Sequence, residues 1–398
     1  MKMTRGILLA VIVLFMCHEI IESGPKKERE LPNNAALQSL FTDFKITWTK
    51  DLSDSVVSFR ATEKCLAISA GSGNEKNLYF IDFEKGSEWS LSNREYPNYY
   101  FEIVGEENPK LMIACARQES DLETNLFDRS GKHLFTLRNR SKIEASPGGK
   151  YFYVGPNQAS RVNLAVYNYE GKFLWAAQTS RGDWEVKALS DSELIYVDGT
   201  SLILYDLDSG RQIWKTHSPP IRGYSPIVCS KHGKDFLIIE TDEIFSFNYS
   251  GKLKWSRNDL GYVYSAAISE NGDFVAVHSS EIADKPPSRL ILLDNKGNGK
   301  TIWSQVINEA STRNNIGSVW FSGDNILLMP QAVEFYYISG LTGTIRTYVY
   351  RIDELEGKLI SSFIVPGGIN ISEKNRTTGY CLMEISGKKT ISRVQENK

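Results

Sequence analysis

One pattern recurs through most of the chain with a period near forty residues, and it constrains the fold more than any other feature. An apolar run ends in Asp or Asn, a glycine follows, and an aromatic residue stands three or four places after the glycine. Copies run Leu126 to Asp128, Gly131 and Phe135; Val166 to Asn168, Gly171 and Trp175; and Leu204 to Asp206, Gly210 and Trp214. Two more join Asn248, Gly251 and Trp255, and Asp294, Gly299 and Trp303. A first copy joins Asp82, Gly86 and Trp89, and a degenerate last one leads from Asp353 through Gly357 to Ser361.

Each copy reads as a β-hairpin. The apolar, aromatic-rich run suits a pleated strand, and the Asp or Asn, Gly and Lys supply turn chemistry. The returning strand carries the aromatic, which is large enough to fill a wedge between neighbouring sheets. A second hairpin lies between these, where a polar turn enters a short apolar strand, as in Ala145–Val154, Leu189–Val197, Cys229–Ile238 and Ile268–Val277. Two hairpins per period make four strands, the unit of a β-propeller.

The expected fold is all-β: a single eight-bladed β-propeller of four-stranded antiparallel blades over residues 45–398. The wedge aromatics Trp48, Trp89, Phe135, Trp175, Trp214, Trp255 and Trp303 follow one another at steps of roughly 40–48 residues, the propeller period. The strand of Trp48, arriving from the amino-terminal end, is expected to complete the last blade and close the ring, which removes exposed sheet edges. Seven blades is the alternative, if the irregular stretch Asn325–Arg346 adds its strands to one blade.

The repeat resembles that of quinoprotein-like propellers, with their hydrophobic-Asp-x-x-Gly-Lys-x-x-Trp pattern. The resemblance is strongest at Asp206-Leu-Asp-Ser-Gly-Arg-Gln-Ile-Trp214 and Asn168-Tyr-Glu-Gly-Lys-Phe-Leu-Trp175. It covers nearly everything after Lys45. The turn Ser146-Pro-Gly-Gly-Lys-Tyr151 also looks like WD-repeat proteins, although no Trp-Asp dipeptide occurs in the chain. Quinoprotein dehydrogenases hold their cofactor with a vicinal cysteine pair, a stacking Trp and a calcium site. None of these is matched here, so the resemblance implies no catalytic, cofactor or metal residue. It points instead to BamB-like envelope scaffolds.

Lys2 and Arg5 precede an apolar run from Ile7 to Met16. That pattern fits a secretory signal over 1–23 and is too short for a membrane span, which needs about 20 apolar residues. Alternatively, Leu14-Phe15-Met16-Cys17 is similar to a lipoprotein processing site, with the signal ending at residue 16 and Cys17 carrying the lipid. A polar linker follows over 24–44. The expected location is the periplasm, the cell envelope or the extracellular space.

Chemistry is sparse. Five cysteines contain no CxxC spacing, and Cys65, Cys115, Cys229 and Cys381 all sit in apolar stretches, where buried thiols are expected. A Cys65–Cys115 bridge is the alternative. Five histidines show no zinc-hydrolase spacing, and Asp294-Asn-Lys-Gly-Asn-Gly299 lacks the carboxylates of a calcium loop. With 46 Lys+Arg against 48 Asp+Glu the net charge is −2, which gives no bulk case for nucleic acid. The expected role is a non-catalytic scaffold without cofactors. An oxidoreductase or hydrolase using the central funnel is the rival.

A partner is expected where one blade's outer strand connects to the next blade's inner strand. Those connections hold Tyr96, Tyr99, Arg138, Arg140, Arg181, Asp183, Trp184, Arg222, Tyr224, Tyr262, Arg313 and Asn314. Arg, Tyr and Trp are the types enriched at binding hot spots, so this rim is the candidate surface for a protein or polymer.

Overall fold

A computed structural model of the chain describes residues 44–52, 56–62, 64–70, 77–92, 99–104, 109–118, 121–139, 143–154, 164–177, 184–198, 201–217, 226–230, 235–283, 287–307, 318–322, 325–329, 346–353, 355–366, 368–371, 378–385 and 388–396. Among them there is no helix, and the strands form eight four-stranded sheets with antiparallel pairing. In chain order these are sheets I (56–92), II (99–139), III (143–177), IV (184–217), V (227–257), VI (262–307) and VII (318–366), with VIII (368–396) completed by Phe44–Leu52. In I to VII the four strands lie side by side in sequence order. In sheet VIII the strand Phe44–Leu52 pairs with Lys388–Glu396, Trp48 opposite Arg393 and Asp51 opposite Thr390.

Consecutive sheets approach through their first strands. Val56–Ala61 meets Tyr99–Val104, Trp184–Ala188 meets Ile227–Cys229, and Tyr262–Ile268 meets Ser318–Ser322. First strands are therefore inner and fourth strands outer. The second strand, covered on both faces, loses the two-residue alternation of a half-buried sheet. Cys65–Ala70 and Phe274–Ser280 are buried at every residue, whereas the outer strand Gln212–His217 alternates exposed and half-buried residues.

Apolar packing lies between sheets rather than in one centre. Cys65 and Phe80 of sheet I pack with Phe101 and Leu111 of sheet II, and Ile195 and Leu204 of IV pack with Phe236 and Phe247 of V. Trp48 packs against Leu66 and Ile68, so sheet VIII meets sheet I.

The Asp or Asn of each repeat organises its turn. Asn168 Oδ1 accepts from the amides of Glu170 (3.0 Å) and Lys172 (2.9 Å), and Asp206 Oδ1 from that of Ser209 (2.7 Å). The glycine serves two ends at once. Gly210 has a φ of +69°, and a Cβ there would stand 2.7 Å from the indole of Trp175 in the preceding sheet. The same indole donates from Nε1 to Leu207 O in that turn (2.8 Å). Trp89, Trp214, Trp255 and Trp303 repeat this bond to Arg129 O, Tyr249 O, Asn295 O and Gly357 O. Phe135 takes the equivalent seat against Gly171 without an N–H to donate.

Candidate functional site

Antiparallel order puts the start of each first strand and the end of each fourth strand at one end of the sheet. Four rim residues are placed there by register. Tyr99 opens its strand opposite Cys115, Trp184 opposite Asp198 and Tyr262 opposite Ser280, while Arg138 is the penultimate residue of its strand, opposite Glu123. Tyr96, Arg140, Arg181, Asp183, Arg222, Tyr224, Arg313 and Asn314 lie outside the described residues, as does Cys17.

Tyr262 is the rim residue whose side chain is described. It is half-buried, and its ring sits 5.3 Å from that of Tyr264 at 53°. The entry into this strand is tight: Gly261 has a φ of +80°, and a Cβ there would lie 2.3 Å from Ser280 O. Val263 N donates to Thr241 O (2.7 Å), tying the first strand of sheet VI to a hairpin of sheet V. Behind Tyr262 the chemistry turns inward. The Tyr264 hydroxyl shares a hydrogen bond with Ser280 Oγ (2.9 Å), and its ring lies 5.1 Å from that of His278.

His278 was given no role by its sequence context, a lone polar aromatic in Phe274-Val-Ala-Val-His-Ser-Ser280. It is fully buried, and among the described residues neither ring nitrogen has a hydrogen-bond partner, nor do Ser265 Oγ and Ser279 Oγ. Burial pushes its pKa down to about 4, so the imidazole is neutral at pH 7. Buried and neutral, the ring is a polar inclusion in an otherwise apolar strand.

The inner strands differ in charge around the ring. In sheets I to IV, Arg60 pairs with Glu102 (3.0 Å) and Lys187 with Glu144 (3.4 Å), whose Oε2 also accepts from the Tyr153 hydroxyl (3.1 Å). The inner strands Ile227–Cys229 and Tyr262–Ile268 carry no ionisable acid or base apart from Cys229, Tyr262 and Tyr264.

Among the described residues no group of three or more His, Cys, Asp or Glu is placed to hold a metal ion. The Asp294 carboxylate accepts from Lys296 N (2.9 Å) and Gly297 N (2.8 Å) of its own turn. Cys65 is a free buried thiol, so the alternative bridge to Cys115 is not formed. Burial pushes the pKa of both Cys65 and Cys229 up to about 12, far from a reactive thiolate at neutral pH.

These sheets, indole seams and ring closure define a β-propeller. No protein-family model matches the sequence, and no curated protein matches it. Among solved structures, the Dos1 propeller is similar with a TM-score of 0.60 at 12% identity, over 88% of this chain and 95% of that one. Kluyveromyces lactis Hsv2 is similar with a TM-score of 0.51 at 11% identity, over 79% and 100%. KlAtg21, in its complex with the coiled-coil of AgAtg16, gives 0.50 at 13% identity, over 78% and 99%. These neighbours are WD40-type propellers. At such identities the likeness is one of fold alone.

Proposed function

We propose that this chain is an exported, quinoprotein-like propeller of eight blades that serves as a non-catalytic scaffold, binding a protein or polymer on its loop-face rim. The observation that carries the reading is the shared position of Tyr99 and Arg138 of sheet II, Trp184 of sheet IV and Tyr262 of sheet VI at the same end of their three sheets. Three separate sheets thereby offer hot-spot residue types to one surface. A propeller of similar fold, KlAtg21, is known in complex with a coiled-coil. Eight blades is supported by the eight described sheets, and quinoprotein-like kinship by the indole docking that accompanies the Asp-Gly-Trp spacing.

Export rests on Lys2, Arg5 and the apolar run Ile7–Met16, with Cys17 as the lipid site if the signal ends at residue 16. Replacing Arg181, Trp184, Arg222 and Arg313 by Ala and repeating affinity capture from native extract tests the rim. Loss of the captured partner with unchanged circular dichroism is the expected result, and unchanged capture refutes it. Fractionation of the host cell, with and without Cys17→Ser, tests location and anchoring. Recovery of the wild-type chain from the cytoplasm overturns export.

A further inference from the structure

The wedge between sheets IV and V is built differently from its neighbours. Two places beyond the docked aromatic, sheets I and II carry Leu91 and Leu137, which pack into their seams. Sheet V carries Arg257, which donates from Nη1 to Gly299 O of the next sheet (2.5 Å). Sheet III has only Ala177, but there the Tyr205 ring closes to 5.5 Å from Trp175. Sheet IV has Thr216, and its facing aromatic Phe247 is turned inward, stacked on Phe236 at 5.1 Å and 9°. A groove of about 460 Å³ stays open at the outer perimeter, floored by Phe245 and Phe247 and walled by Thr216, His217, Lys252 and Leu253.

Two further features mark the place. Gln212–His217 is the outermost strand of sheet IV, so among the described residues the backbone groups on its outer side face no partner strand, and Ile213 (40%) and Leu253 (45%) are exposed beside it. The two chain segments that border it are basic, although the Glu193 carboxylate accepts from the Tyr249 hydroxyl in the same seam. Residues 209–217 and 244–258 contain Arg211, Lys215, Lys252, Lys254 and Arg257 and no Asp or Glu. Lys254 and Arg257 are paired with Asp235 (2.7 Å) and Asp259 (2.5 Å), whereas Lys215 and Lys252 form no ion pair with the described residues.

We propose that this edge and groove bind an acidic peptide in extended form. The peptide pairs along Gln212–His217, seats an apolar side chain over Phe245 and Phe247, and sets carboxylates beside Lys215 and Lys252. Strand pairing favours a peptide over a lipid surface, because the groove is a slot beside an open sheet edge rather than a flat apolar face. The site is separate from the rim and stands whether or not the rim binds anything.

The test uses the purified chain and a fluorescent peptide, Asp-Leu-Asp-Phe-Asp-Leu-Asp, against its counterpart with Lys in place of Asp. The acidic peptide should bind at least about tenfold tighter by anisotropy, and weaken between about 50 and 200 mM salt. Thr216→Leu should fill the groove, and the surface pair Lys215→Glu with Lys252→Glu should reverse its charge. Each should weaken binding by about tenfold or more with the thermal midpoint of the chain unchanged. Equal binding of both peptides overturns the proposal, as does acidic-peptide binding that neither variant weakens. Binding to vesicles containing phosphatidylserine, without binding to the peptide, reassigns the face to a membrane. A dimer in light scattering that Thr216→Leu dissolves reassigns it to a second copy of the chain.

Discussion

The seams between sheets I and II and between sheets V and VI solve one problem with opposite chemistry. In both, the residue just after the turn's Asp reaches back into the preceding sheet. In the first it is Arg129, almost wholly buried, which donates from Nε to Asp82 Oδ2 (2.7 Å), from Nη2 to Asp82 Oδ1 and from Nη1 to Glu84 Oε2 (2.7 Å). In the second it is Asn295, also buried. Its amide donates to Gly272 O (2.6 Å) and Asp235 Oδ2 (2.9 Å), and its carbonyl accepts from Trp255 Nε1 (2.8 Å) and Ser246 Oγ (2.7 Å). That uses the full hydrogen-bonding capacity of a carboxamide. An ion pair and a neutral amide thus hold equivalent places, and they should fail under different insults.

The largest difference is expected from truncation. Arg129→Ala strands the buried Asp82 carboxylate and should lower the unfolding free energy by about 3–5 kcal/mol, measured by urea titration at pH 7. Acid should come next, and it should strike on the side of sheet VI first. The unfolded chain protonates His278 near pH 6.5 but the folded chain only at about 4, so stability falls across that window and levels off below it. The loss is on the order of 3 kcal/mol, and His278→Leu should abolish that slope.

Burial works to raise the Asp82 pKa, but the Arg129 hydrogen bonds and the turn amides outweigh it and hold the group below its usual value of 3.8. Its stabilisation is present above that value and lost only as pH falls through the lower one. Hydrogen exchange during acidification should therefore report sheet VI before the Asp82 seam, and the reverse order breaks the comparison.

Asn295→Ala should cost about 2 kcal/mol, since Trp255 keeps a longer bond to Asn295 O (3.3 Å) and Asp235 keeps Lys254. Smallest of all, Asp82→Leu combined with Arg129→Met should leave stability within about 1 kcal/mol of wild type, because both charges leave together.

The propeller was legible because its repeat is written in residues with narrow physical jobs: an acid or amide to tie the turn, a glycine to make it, an indole to span a seam. What the sequence hid is which partner each residue serves. Gly210 makes its own turn and also receives Trp175 from a sheet earlier, a relation no single repeat displays. Arg129 and Asn295 occupy a position filled elsewhere by Phe83, Tyr169, Leu207 and Tyr249, so periodicity gave them no signal. Of the rim, strand register puts Tyr99, Arg138, Trp184 and Tyr262 at the same end of their sheets, since strand ends follow from the repeat. The groove beside Thr216 had a faint trace in sequence, a short side chain where Leu91, Leu137 and Arg257 stand in other repeats.

The pairing of Phe44–Leu52 with Lys388–Glu396 also sets a timetable for biosynthesis. The first of these strands leaves the ribosome about 340 residues before its mate, a wait of roughly 20–70 s at about 5–20 residues per second. Throughout that interval the nascent chain holds a strand whose partner has not yet been made, and the ring acquires its latch only once Lys388–Glu396 has been synthesised.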